Sequence, residues 1–135
     1  MVTRAQIVGQ ARTYLGVKYR HQGRNKAIAV DCVGLVLGVA QALDIPCVDV
    51  EGYSSRADGT LIPALARQTV PVIGTPQPGD IVVFHWAGEP MHLAILTAPD
   101  RIIHAFAINR FVCEHRIDEK WRRMIACYRA FPGVE

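Results

Sequence analysis

The sequence predicts an α+β fold, with helices in its first half packed on one face of an antiparallel sheet of about five strands formed by its second half. Three observations predict it. Up to Arg67 the apolar residues recur at helical spacing or in long runs. From Ile81 onward they fall into short runs rich in β-branched and aromatic residues, separated by turn signals. Between the two lies a Pro/Gly-rich connector, with Pro71, Gly74, Pro76, Pro78 and Gly79, and the strand-forming half beyond it is too small to stand alone. The 135 residues therefore read as a single domain, 1–135, able to bury about two-thirds of its unfolded surface.

Thr3 can cap a helix running to Leu15, with Ile7, Ala11, Tyr14 and Leu15 on one face and Gly16 as its stop. A polar loop, Lys18 to Lys26, comes next, of the kind that often borders a site. Val30 to Asp44 reads as a helix with Asp31 at the N-cap and Pro46 beyond its end. It is apolar all round, so it belongs in the centre of the molecule. Residues 49–60 are loop-like, and a short helix is expected over Leu61 to Arg67. The expected strands are IVVF (81–84), HLAIL (92–96), RIIHAF (101–106), RFVCEHRI (110–117) and IACYRAF (125–131). Gly88, Glu89 and Pro90, then Pro99 and Asp100, then Asn109 mark the turns.

Composition excludes several functions. The net charge of +3 is small and, apart from Arg122–Arg123, dispersed, which argues against a nucleic-acid surface. No apolar stretch reaches the roughly 18 residues of a membrane span, and the start, MVTRAQIVGQ, lacks the apolar core of a secretory signal. The four cysteines (Cys32, Cys47, Cys113 and Cys127) contain no CxxC pair, so neither a structural zinc site nor a disulfide framework is expected. No cofactor and no metal is expected. Cys47, Cys113 and Cys127 read as buried spectators, and His85 and His115 as surface or strand-end residues.

Cys32 stands apart because it opens the central helix. Unpaired N–H groups and the helix dipole there favour a thiolate, the working form of a cysteine nucleophile, and can also receive an oxyanion. Gly34, two residues on, permits close approach. His92 begins a strand that is too apolar to be solvated on either face, a place for a general base. A hairpin about Pro99–Asp100 would set His92 and His104 nearly opposite each other, supplying a nucleophile, a base and a group to orient the base.

Taken in order, YRHQGRNKAIAVDCVGLV (19–36), PQPGDIVVF (76–84), HLAIL (92–96) and IIHA (102–105) resemble the NlpC-type cell-wall peptidase family, a papain-like group of bacterial and phage peptidoglycan endopeptidases. The tail, EHRIDEKWRRMIACYRAFPG (114–133), resembles the subset carried in phage and gene-transfer-agent tail modules. The resemblance implies a papain-like fold, Cys32 as nucleophile, His92 as base and His104 as the orienting third residue. On the substrate side it implies four positions. Tyr19 matches the tyrosine that lines the cleft. Asp31 matches the acidic residue before the nucleophile, with a structural character. Val33 stands where many members carry a serine that helps bind the substrate's amino end. His21, in a loop that replaces a more usual W-G-G, can reach substrate or simply be solvated.

The implied activity is hydrolysis of an amide bond in peptidoglycan stem peptides, at the cell wall or in a phage-like tail particle, with tail proteins as possible partners. Two other classes compete. One is a catalytically silent tail-tip or adapter protein, against which the presence of Cys32, His92 and His104 together argues. The other is a papain-like amidase or acyltransferase acting on a non-wall substrate; no membrane-seeking amphipathic segment supports a lipid one.

Overall fold

In a computed structural model of the chain, which describes residues 1–50, 61–86 and 89–135, Thr3 opens the first helix by a reciprocal cap. Its Oγ1 accepts from the Gln6 amide at 3.1 Å, while Gln6 Oε1 accepts from the Thr3 amide at 2.8 Å. Helix α1 is Arg4–Arg12, shorter than expected, and Leu15 is exposed rather than part of the buried face. Ile7, Val8, Ala11 and Tyr14 are buried. The polar loop is more ordered than a loop. It contains two two-residue strands, β1 (Lys18–Tyr19) and β2 (Arg24–Asn25), which pair with a third, β3 (Ala29–Val30), in the order β1-β3-β2, so Val30 lies in a strand and not in the central helix.

Helix α2, Cys32–Ala42, is central as its apolar sequence requires, with Val33 to Leu37, Val39 and Ala40 buried. At Gly38 it packs on the turn that follows α1, where a Cβ would overlap the Tyr14 hydroxyl. Helix α3 is Leu61–Ala66. The loop expected over 49–60 falls, from residue 51 on, outside the described residues, as does Gly88 of the first turn.

The five expected strands all form. They are β5 (Ile81–Trp86), β6 (Glu89–Ala98), β7 (Arg101–Ala105), β8 (Val112–Arg116) and β9 (Ile125–Ala130). A sixth, β4 (Val70–Pro71), begins the connector and pairs with β9 at the sheet edge, where a proline costs no ladder bond on its outer side. The order is β4-β9-β5-β6-β7-β8, antiparallel at every pairing. The mixed α+β architecture is therefore the expected one.

Both faces of this sheet are covered. Ile81, Val83, Leu93, Ile95, Ile103 and Ala105 pack with the residues of α1 and α2. On the other side, Val82, Phe84, Ala94, Leu96, Ile102 and Ile117 pack with Trp121 and Met124. Trp121 belongs to a fourth helix, α4 (Glu119–Arg123), capped by Asp118. Sequence reading placed helices on one face only. Five-residue α4 is too short for a periodic signal, and Arg122 and Arg123 are exposed on it.

Candidate active site

The site has two walls. The first is the start of α2. Asp31, 2% exposed, accepts from the Gly34 amide at 2.8 Å through Oδ1 and from the Gln22 amide at 2.8 Å through Oδ2. Arg24 Nη1 donates to the same Oδ1 at 2.9 Å, while its Nε donates to Asp49 at 2.9 Å and its Nη2 to the Val50 carbonyl at 3.1 Å. One carboxylate thus ties the polar loop and the segment at 49–50 to the helix start. Gly34 completes the joint, because a Cβ there would collide with the Gly23 carbonyl oxygen.

Cys32 is half-buried in this frame. Its sulfur takes hydrogen bonds from the backbone N–H groups of Val33 and of Leu93, the residue after His92. Burial pushes the thiol up to about 12, with the Asp31 carboxylate acting the same way, against those N–H groups and Arg24. The expectation of a thiolate favoured by the helix start is therefore corrected: desolvation outweighs the helix-end donors, and the resting group is a thiol. Tyr19 lies beside it; burial, then the charges of Cys32 and Asp31, push its hydroxyl up to about 12.

The second wall is built of rings on the opposite face of the sheet. His92 is 5% exposed and His104 is fully buried. His92 Nε2 lies 2.7 Å from His104 Nδ1. His104 Nε2 lies 2.8 Å from His115 Nε2, and His115 Nδ1 lies 2.8 Å from the Arg116 carbonyl. Phe106 stacks on His104 at 5.3 Å and 13° between planes, and Trp121 meets His104 edge-on at 5.0 Å. Desolvation lowers His92 to about 3, with His115 adding to it, and His104 to about 2, with His92 and His115 adding to it. Both rings rest neutral.

The hairpin register differs from the one expected. Ile95 pairs with Ile103 and Leu96 with Ile102, which brings His104 level with Ala94, not with His92. The two histidines nevertheless share a face, and meet on the diagonal because residues two apart on a strand point the same way. A regular two-residue turn with Ala98 opposite Arg101 would set the two histidines on opposite faces; the irregularity between Leu96 and Ala98 shifts the register by one residue and returns them to one face.

The structure brings Tyr19, Asp31 and Cys32 together and bonds Cys32 to the backbone next to His92. Val33 turns its side chain into the core, 5% exposed, and meets the site through its N–H. His21 is half-buried in the polar loop, next to Gln22. Cys47, Cys113 and Cys127 are half-buried rather than buried. His85 is half-buried, with an Nδ1 that has no hydrogen-bond partner among the described residues.

His115 and Trp121 are the residues that sequence reading missed. The available signal was the hairpin around Asn109: pairing RIIHAF with RFVCEHRI sets His104 opposite Cys113 and diagonal to His115. Ligand atoms of His104, Cys113 and His115 lie within 4.8 Å of one another, which suits a soft metal ion by donor type. However, both Nε2 atoms already satisfy each other, and Cys113 accepts from Asn109 at 3.1 Å. No helix among the described residues is long and apolar enough to cross a membrane.

Comparison with known proteins converges on one family. The model described as the NlpC/P60 family matches residues 16–130. Similar solved structures include an NlpC/P60 family protein from Bacillus cereus ATCC 10987, 20% identical with a TM-score of 0.75, over 95% of this chain and 40% of that one. An NLP/P60 family protein similar to a lipoprotein, from Staphylococcus aureus subsp. aureus Mu50, is 22% identical with a TM-score of 0.72, over 95% and 41%. The NlpC/p60 domain of the peptidoglycan hydrolase SagA is 22% identical with a TM-score of 0.69, over 96% and 100%. The chain thus spans about two-fifths of the first two and the whole of the third, and at such identities the likeness is one of fold. Among curated proteins none matches significantly.

Proposed function

We propose that the chain, which belongs to the NlpC/P60 family, is a cysteine peptidase that hydrolyses an amide bond in peptidoglycan stem peptides. The observation that carries this reading is the bonding of Cys32 Sγ to the Leu93 N–H, beside a His92 whose Nε2 is held at 2.7 Å by His104. The description of the similar SagA domain as part of a peptidoglycan hydrolase supports the substrate class.

In this reading Cys32 attacks the amide carbon and His92 takes the thiol proton as the C–S bond forms. The Cys32 N–H at the start of α2 receives the oxyanion, since the Val33, Gly34 and Leu35 N–H groups donate to Cys32 Sγ, Asp31 Oδ1 and the Asp31 carbonyl. His92 then gives the proton to the leaving amine, and water resolves the thioester with His92 again acting as base. A neutral resting pair makes this transfer part of the reaction and not a preformed charge separation. His104 orients the His92 ring. Tyr19 and His21 line the substrate side, Val33 leaves that side without a serine hydroxyl, and Asp31 holds the frame. Residues 1–135 act as one peptidase domain, with no metal or cofactor. The resemblance of 114–133 to tail-module proteins supports a place in a phage or phage-like tail, where tail proteins are the partners and the host wall is the target.

Mass spectrometry of muropeptides released from several wall types tests this. Stem-peptide fragments are expected with the native protein and not with Cys32→Ala. Equal release by both proteins, or none by either, contradicts the reading.

A further inference from the structure

We propose that His115 is a positioning residue that fixes the tautomers of His104 and His92, so that His92 carries its hydrogen on Nε2 and its lone pair on Nδ1. The catalytic consequence rests on the peptidase reading; the tautomer order rests on hydrogen bonds alone.

The order starts at a backbone carbonyl. Arg116 O can only accept, so His115 Nδ1, 2.8 Å away, carries a hydrogen. A neutral imidazole has one such hydrogen, so His115 Nε2 is a lone pair. The hydrogen in the 2.8 Å contact between the two Nε2 atoms then belongs to His104. That leaves His104 Nδ1 as a lone pair, and the hydrogen in the 2.7 Å contact belongs to His92 Nε2. His92 is left with its lone pair on Nδ1, the nitrogen able to take a thiol proton. Each ring passes the choice to the next, and the peptide group at 116–117 makes it. The ring planes are held by the contacts that cross them: Trp121 lies 5.0 Å from His104 and 5.6 Å from His115, and Phe106 stacks on His104.

The same logic shows what breaks the order. With no acceptor at 115, His104 is free to move its hydrogen to Nδ1. His92 Nε2 must then accept, and its hydrogen moves to Nδ1, where it blocks the base. A residue that only donates at 115 imposes this reversed order outright.

The test uses the full chain with 15N-labelled histidine, long-range 1H–15N NMR and steady-state kinetics on one stem peptide. In the native protein the spectra should show Nε2–H at His92 and His104 and Nδ1–H at His115. His115→Ala should mix the His92 tautomers and lower kcat about 10- to 100-fold, the usual effect of losing an outer partner of a catalytic group, with KM unchanged. His115→Gln, whose amide oxygen can accept, should restore Nε2–H at His92 and most of kcat; His115→Lys, a donor only, should give Nδ1–H and the lowest kcat. Should the Ala protein fail to fold, the Gln and Lys pair reads the same contrast. Nδ1–H at His92 in the native protein, or an unchanged His92 tautomer across Gln and Lys, overturns the proposal. If the spectra show the expected order but the native protein cuts no wall fragment, the peptidase reading fails and the tautomer chain stands.

Discussion

The wall that carries Cys32 and the wall that carries His92 are held by different forces. Around the thiol, the parts are backbone amides, one buried carboxylate and one guanidinium, converging on the first turn of α2. Around the imidazoles they are rings against rings, with a hydrogen-bonded chain that ends on a carbonyl. The first wall fixes position through charge, the second through packing and tautomer. Both deny charge to the reacting group: burial raises the thiol and lowers the imidazole. In the proposed mechanism such a site keeps its proton on sulfur at rest, so the energy of charge separation falls within the catalytic cycle.

That contrast can be broken from either side. The largest effect is expected at His92, which carries the proton in the proposed mechanism. His92→Ala should lower kcat by several powers of ten, as removal of a unit-acting catalytic group does. Residual activity within tenfold of native in single-turnover kinetics would assign the base elsewhere. On the charged wall, Asp31→Ala removes the acceptor of the Gln22 and Gly34 amides and of Arg24 Nη1, while Arg24 keeps Asp49. A loss of about 3 kcal/mol in urea denaturation is expected, the low end for a broken buried pair because Arg24 keeps some solvent. Asp31→Asn retains an oxygen for the cap and should lose less; equal losses would show that charge plays no part.

A smaller effect is expected at His104. Its alanine variant should lose about 10- to 100-fold in kcat, less than His92→Ala, and His104→Asn or His104→Gln should recover part of that. If the alanine variant matches His92→Ala and neither amide rescues, His104 does more than orient.

The gentlest test is pH. His92 and His104 have folded values below the ordinary histidine value of 6.5, so below that pH the unfolded chain binds protons that the folded chain refuses. Stability should be full above about 6.5 and fall on acidification toward pH 3, by on the order of 1 kcal/mol per pH unit for each ring. Cys32, raised from 9.0, acts oppositely and costs stability as pH rises beyond that value. Thermal melts that stay flat from pH 7 to 4.5 would contradict two buried neutral rings.

The two walls also differ in how well the sequence reveals them. Asp31, Cys32 and Gly34 were legible because a helix N-terminus is local: cap, first residue and close approach fall within four positions. The five main strands were legible from short apolar runs and turn residues. The ring wall is not local. His92 and His104 meet on a diagonal that depends on an irregularity after Leu96, because a one-residue slip in register would turn one of them to the other face. His115 and Trp121 reach the same cluster only once β8 and α4 fold over the second face of the sheet. No spacing within EHRIDEKW announces that.

The most direct test of the central claim, that Cys32 forms the covalent intermediate while His92 moves its proton, is intact-protein mass spectrometry after acid quench of a stem-peptide reaction. An added mass equal to the acyl fragment, mapped to the peptide that carries Cys32, is the expected result. Turnover of the same stem peptide with no adduct on Cys32, at a rate that Cys32→Ala also sustains, would contradict it.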